Sequence, residues 1–237
     1  MTTLTACHLG FTPYSQGLRL QEALVSARAE GRTHDWLLFP DHPPVLTVGR
    51  GASPGGLIAD RGTLEARGIE IFEVARGGDI TWHGPGQLVG YAICDLAPQT
   101  KDLHRFLRAL ESALMDVLAE YGIDSTKVRG RTGVWVGERK IASLGIAVRR
   151  WVSYHGFALN VEPDLSQFDL IHPCGLRGVR MTSVADLLGS RAPALPEVRE
   201  RAAAAVARRL GHARVRWAAR EDALAAAEEA GLAIAAR

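Results

Sequence analysis

Three runs decide the fold: Gly133-Val134-Trp135-Val136, then Arg139-Lys140-Ile141-Ala142-Ser143-Leu144-Gly145-Ile146-Ala147-Val148, then Val152-Ser153-Tyr154-His155-Gly156-Phe157-Ala158-Leu159-Asn160-Val161. They are rich in β-branched and aromatic residues and separated by turn signals, which predicts an antiparallel meander. Alternation in the second run puts Lys140 on the face of Ala142, Leu144, Ile146 and Val148. If that face is the buried one, Lys140 is a partly desolvated amine. The opposite face, with Ile141, Ser143, Gly145 and Ala147, is also largely apolar, so the facing stays open and burial on both sides is allowed.

Before the meander, Leu18, Leu20, Ala23, Leu24 and Ala27 keep a helical spacing that Gly31 stops, predicting a helix over 15–30. Trp36-Leu37-Leu38-Phe39 and Val45-Leu46-Thr47-Val48 read as short buried strands, and Gly49 to Gly56 as a loop. Further strands are expected at Ile69 to Ala75 and Leu88 to Leu96, with a glycine-dense turn over 76–87 between them. Leu103, Phe106, Leu107, Leu110, Leu114, Val117 and Leu118 mark a helix over 102–121, with Asp102 as cap and Gly122 past its end.

After an irregular stretch, Pro163 to Val179, come a helix from about Pro196 to Leu210, an extension from His212 to Trp217 and a last helix near 220–230. Helices mixed with hairpin-linked strands favour a mixed α/β or α+β fold, a largely antiparallel mixed sheet flanked by helices, over a Rossmann sheet. One catalytic domain over 1–237 is expected, with the Ala- and Arg-rich segment from about 196 packed on it.

The 237 residues carry 28 Lys and Arg against 26 Asp and Glu, a formal charge of +2, which argues against a polyanion-driven nucleic-acid binder. At 47% hydrophobic and 23% charged residues the chain can bury a full core, and it lacks the composition of a disordered one. No segment reaches the ~18 uninterrupted apolar residues of a membrane helix, and Met1 to Gly10 shows no basic n-region followed by an apolar stretch, so no signal peptide is expected there. Cys7, Cys94 and Cys174 form no CxxC pair, so a reduced compartment, the cytoplasm, is expected and a metal site is not. Only Lys101, Lys127 and Lys140 are lysines. A lysine can release its proton when desolvated and an arginine cannot, so these three are the better candidates for proton chemistry.

Cys174 lies in Ile171-His172-Pro173-Cys174-Gly175, where proline stiffens the backbone and glycine admits a substrate. It reads either as a nucleophile activated by a His, a Lys or a helix N-terminus, or as a small buried hydrophobe. Cys7 and Cys94 read as structural. The glycines of 76–87 could line a pocket with backbone N–H groups, and Ile80 and Trp82 could wall it. Neither this segment nor Gly49 to Gly56 ends in the GK[ST] of a nucleotide-phosphate loop.

Taken together, Arg76-Gly77-Gly78-Asp79-Ile80-Thr81-Trp82-His83-Gly84-Pro85-Gly86-Gln87-Leu88-Val89-Gly90-Tyr91, then Gly137 to Gly145, then His155 to Val161 leading to Pro173-Cys174-Gly175, resemble the lipoyl(octanoyl) transferases over about residues 10–190. Trp82 stands where that family more often has Tyr. The resemblance implies a fold similar to biotin and lipoate protein ligases. It also implies transfer of an octanoyl group from acyl carrier protein to a lysine of lipoyl domains, those of 2-oxoacid dehydrogenase complexes and of the glycine cleavage H protein. No cofactor and no ATP would be needed, because the acyl group arrives as a thioester on phosphopantetheine.

The resemblance assigns Cys174 as acyl-carrying nucleophile and Lys140 as proton shuttle. It gives Arg76, Gly77, Gly78, Asp79, Ile80, Thr81, Trp82 and His83, then Ser143, Leu144 and Gly145, then Gly156, Phe157 and Ala158 to the acyl pocket. Backbone N–H groups at Gly77-Gly78 or at Gly175-Leu176 are the expected oxyanion donors. Two alternatives stand beside this reading: an ATP-dependent lipoate or biotin ligase on the same fold, and a silent binder of carrier protein or lipoyl domains.

Overall fold

Strand-forming runs too short to be stable alone are collected into two sheets by long-range pairing in a computed structural model, which describes residues 2–53, 55–97, 101–172 and 178–229. In chain order the first half contains β1 (Thr3–Phe11), α1 (Tyr14–Ala29), β2 (Trp36–Asp41), β3 (Val45–Val48), α2 (Arg61–Ala66), β4 (Glu70–Glu73), β5 (Ile80–His83), β6 (Gln87–Ile93) and α3 (Leu103–Glu120). The second half adds β7 (Thr126–Val128), β8 (Arg131–Val136), β9 (Arg139–Arg149), β10 (Val152–Asn160), β11 (Arg180–Met181), α4 (Val184–Leu188), α5 (Leu195–Arg209), β12 (Arg214–Ala218) and α6 (Arg220–Glu228).

The large sheet runs β12-β1-β2-β6-β10-β9-β8-β7, with β11 also on β9, and the small one runs β4-β3-β5. From β2 to β7 every neighbour is antiparallel, while β1 is parallel to both β2 and β12. The fold is therefore a mixed, largely antiparallel sheet flanked by helices. The helices α3 and α5 cover one face, where Leu110, Leu114, Val117, Ala202 and Val206 meet Leu37, Leu88 and Leu159. On the other face α1 and α6 bring Leu20, Leu24, Ala223 and Ala227 onto Leu38, Val89 and Ile93. A separate cluster under the small sheet joins Leu46, Leu64, Ile80 and Trp82 to Phe168 and Leu170 of a 3-10 turn, Leu165–Leu170.

Local chemistry explains the boundaries. The Asp102 carboxylate accepts the Arg105 N–H at 3.0 Å and starts α3; Gly122, at φ +73°, follows its last turn. Three elements differ from expectation. Thr3–Phe11 is a strand whose partners lie about 30 and 210 residues away, so nothing local announces it. The extension after His212 is β12, which closes onto β1. The 76–87 segment is only partly a turn, since Ile80–His83 pairs with β3. Among the described residues no helix is long and apolar enough to cross a membrane.

Candidate active site

A cavity of about 390 Å³ opens where β5, β9 and β10 converge. The loop before β5 and β5 itself contribute Arg76, Gly78, Asp79, Ile80, Thr81 and His83; β9 contributes Lys140, Ser143, Leu144 and Gly145; and β10 contributes His155, Gly156, Phe157 and Ala158. Tyr14, Tyr91 and Trp135 complete the inner wall, and Gly51, Ser53 and the hairpin Gly130-Arg131-Thr132 also line it.

Two residues expected there stand elsewhere. Trp82 points away from Thr81 and His83, as strand alternation requires, and packs edge-on against Phe168 at 5.7 Å between centroids. It belongs to the small-sheet cluster and is no pocket wall. Gly77 does not line the cavity, and its N–H donates to the Ile146 carbonyl at 2.9 Å, so it is not an available oxyanion donor. Cys174, with Gly175 and Leu176, lies outside the described residues; the chain is followed to His172, whose N–H bonds the Gly56 carbonyl, and again from Gly178.

Lys140 reaches the cavity through an irregularity that alternation did not announce. Val134 pairs with Ala142 but Trp135 pairs with Lys140, so Ile141 is the extra residue of a β-bulge. The bulge turns Lys140 off the face of Ala142, Leu144 and Ile146, which goes into the main core, and onto the cavity side with Ser143 and Gly145. The lysine is 1% exposed, and its Nζ sits 5.6 Å from the centre of the Trp135 ring. Alongside it, Met181 of β11 pairs in parallel register with Lys140 itself.

The wall bearing Arg76 is stitched to the preceding loop. Arg50 and Gly51 donate backbone N–H groups to the carbonyls of Arg76 and Gly78 at 3.0 Å each. Arg76 Nη2 donates to the Thr47 carbonyl and hydroxyl at 2.7 and 2.8 Å, and Asp79 accepts the Ser53 N–H at 3.1 Å. Gly145 lets this wall lie flat on β9, because a Cβ there would fall 2.7 Å from the Gly77 carbonyl oxygen.

Three buried imidazoles are neutral at pH 7. Burial, then His42, hold His83 down to about 3; burial and the Arg76 charge hold His155 down to about 3; and burial holds His42 down to about 4. Tyr14 and Tyr91 are pushed upward by burial, Tyr14 to about 12. The hydrogen bonds fix tautomers. Gln87 Nε2 donates to Asn160 Oδ1 at 3.0 Å, so Gln87 Oε1 accepts the Nδ1–H of His83 at 2.7 Å. His42 donates Nδ1–H to the Thr12 carbonyl and takes the Tyr91 O–H at Nε2, both at 2.6 Å. Of these groups, sequence reasoning passed over Tyr14, His42, His155 and Trp135; the one available signal was that each is a polar-tipped ring inside an apolar or Pro- and Gly-flanked run. The arrangement offers a cavity lined by three basic side chains, Arg76, Arg131 and Lys140, and by neutral rings that donate or accept without adding charge.

The fold is like that of the lipoate ligases: a lipoate-protein ligase A solved with ATP bound superposes with a TM-score of 0.73 at 20% identity, over 97% of this chain and 94% of that one. The family model described as lipoyl protein ligase A/B catalytic domain matches residues 13–207. The protein named Octanoyltransferase from Solibacter usitatus is 50% identical over 193 residues, 81% of this chain and 86% of that protein. Its namesake from Acidobacterium capsulatum is 43% identical over 228 residues, 90% of this chain and 92% of that protein. The chain belongs to the lipoyl protein ligase A/B catalytic domain family, on its octanoyltransferase branch.

Proposed function

We propose that the chain moves an octanoyl group from the thioester of octanoyl-acyl carrier protein to a lysine of a lipoyl domain, the acyl group resting on Cys174 between the two halves. Lys140 takes the Cys174 thiol proton as the sulfur attacks the thioester carbonyl. The carbon–sulfur bond to phosphopantetheine breaks, and Lys140 hands the proton to the departing thiolate. In the second half the acceptor amine attacks the Cys174 thioester and gives a proton to Lys140, which passes it to the Cys174 sulfur as the amide forms. Atoms balance with no ATP, since a thioester already lies uphill of an amide. Lipoyl domains of 2-oxoacid dehydrogenase complexes and the glycine cleavage H protein are the proposed acceptors.

The observation that carries this reading is a buried lysine in a cavity that Ser143, Gly145, Gly156 and Ala158 also line. A volume of about 390 Å³ falls within the ~300–1,000 Å³ of ligand pockets, enough for a linear acyl chain. The chain re-enters beside Lys140 at Met181, seven positions past Cys174, and this supports a Cys174–Lys140 pairing. Arg76, Gly78, Asp79, Thr81 and His83 with Leu144 and Phe157 are proposed to hold the acyl end.

Intact-protein mass spectrometry after mixing with octanoyl carrier protein tests it. An octanoyl adduct on the wild type that is absent from Cys174→Ala is the expected result; an adduct on both, or on neither, removes Cys174 from the mechanism. An ATP-dependent ligase on the same fold would keep its activity in Cys174→Ala.

A further inference from the structure

We propose that Glu111 and Gly133 are positioning residues for Lys140: a buried carboxylate on α3 fixes the peptide that forms the bare floor under the lysine's terminal methylene. The proposal rests on the role given to Lys140 above.

Gly133 sits on β8 at φ +134°, a backbone conformation that L side chains rarely adopt. A Cβ added there would lie 2.4 Å from Lys140 Cε and 3.1 Å from Nζ, so the end of the lysine rests directly on this Cα. Trp135, two positions along the same strand, presents its ring to the same Nζ. What holds Gly133 in place comes from the other side of the sheet. Glu111, 0% exposed, accepts the Gly133 N–H through Oε1 at 2.9 Å, and through Oε2 it accepts from Arg108 Nη1 at 2.6 Å.

A carboxylate in the α3 core face is costly even when paired, and an apolar residue would serve packing at least as well. The neighbouring positions of that face, Leu110, Ala113 and Leu114, are apolar as expected. Glu111 departs from that pattern at the one place where its reach ends on the strand beneath Lys140. A glycine in an unusual conformation has the widest freedom to wander, and an ionised acceptor makes a stronger bond to its N–H than a neutral one. The pair thereby sets the height and direction of Nζ.

The three lysines make the test direct. In the full-length chain labelled with 13Cε-lysine, three methylene signals are expected, and Lys140→Arg identifies the one from Lys140. Lys101, over the Trp151 ring, is the internal reference. In Glu111→Leu the Lys140 signal shifts and the separation of its two proton shifts collapses, while Lys101 stays. In Glu111→Gln, which keeps an acceptor, the Lys140 signal remains near its wild-type position. Octanoyl transfer follows the same order: kcat falls about 100-fold in Glu111→Leu, as for an ångström-scale misplacement, with KM unchanged, and returns in Glu111→Gln.

Gly133→Ala should displace the same signal, and the Glu111 pair decides the matter if that variant does not fold. A Lys140 signal unmoved in Glu111→Leu, or moved equally in Glu111→Gln, overturns the proposal and leaves Glu111 as a strut between α3 and β8. Should the wild type form no octanoyl adduct, the transfer reading falls, and the lysine spectra still decide the positioning.

Discussion

Gly145 answers to the close approach of the 76–78 wall. Its replacement by alanine drives a Cβ to 2.7 Å from the Gly77 oxygen and 3.1 Å from Arg76 Cδ. Gly145→Ala is expected to cost about 1–3 kcal/mol in urea unfolding, the usual range for overpacking, and to slow adduct formation because Arg76 moves with the wall. Trp82 makes the opposite case. Buried against Phe168 outside the cavity, it should cost about 3–5 kcal/mol on Trp82→Ala, read by thermal unfolding. At temperatures where that variant is folded, KM for the acyl donor should be unchanged. Lys140→Arg keeps the charge and removes proton exchange, so octanoyl transfer should collapse while the folded protein persists; near-normal turnover would remove Lys140 from the chemistry.

Among the elements, α3 is held by an end and a face. Asp102→Ala removes the cap and should cost about 1 kcal/mol. Leu114→Ala opens the α3–α5 seam and should cost about 2–5 kcal/mol by chemical denaturation. These elements were legible because one face of each helix is apolar every three to four residues and its ends carry Asp102, Gly122 and Gly31. The meander was legible from its composition and turns. What escaped the sequence was long-range or irregular. β1 and β12 need each other, and the Ile141 bulge breaks the alternation by which the facing of Lys140 was judged. Twelve of the fourteen residues given to the acyl pocket do line the cavity, since the runs that supply them are continuous. The rings of Tyr14, His42 and His155 could not be grouped from sequence, because only the sheet order brings segments so far apart to one place.

At the scale of the whole molecule, the buried imidazoles tie stability to pH. His42, His83 and His155 bind protons less readily folded than unfolded, so the unfolded state takes up more protons as the pH falls below about 6.5. Their contribution is complete above that value and is lost toward pH 3–4, where the folded groups would titrate. Each is expected to remove on the order of 2 kcal/mol between pH 7 and pH 5. A melting temperature that stays level over that interval in circular dichroism would contradict this. Because the cavity wall draws on Tyr14, the 76–91 region and the strands up to Ala158, no early portion of the nascent polypeptide contains the whole cavity. A ribosome-bound or clipped chain lacking β10 would lack His155, Gly156, Phe157 and Ala158 from that wall, and is expected to take up no octanoyl group.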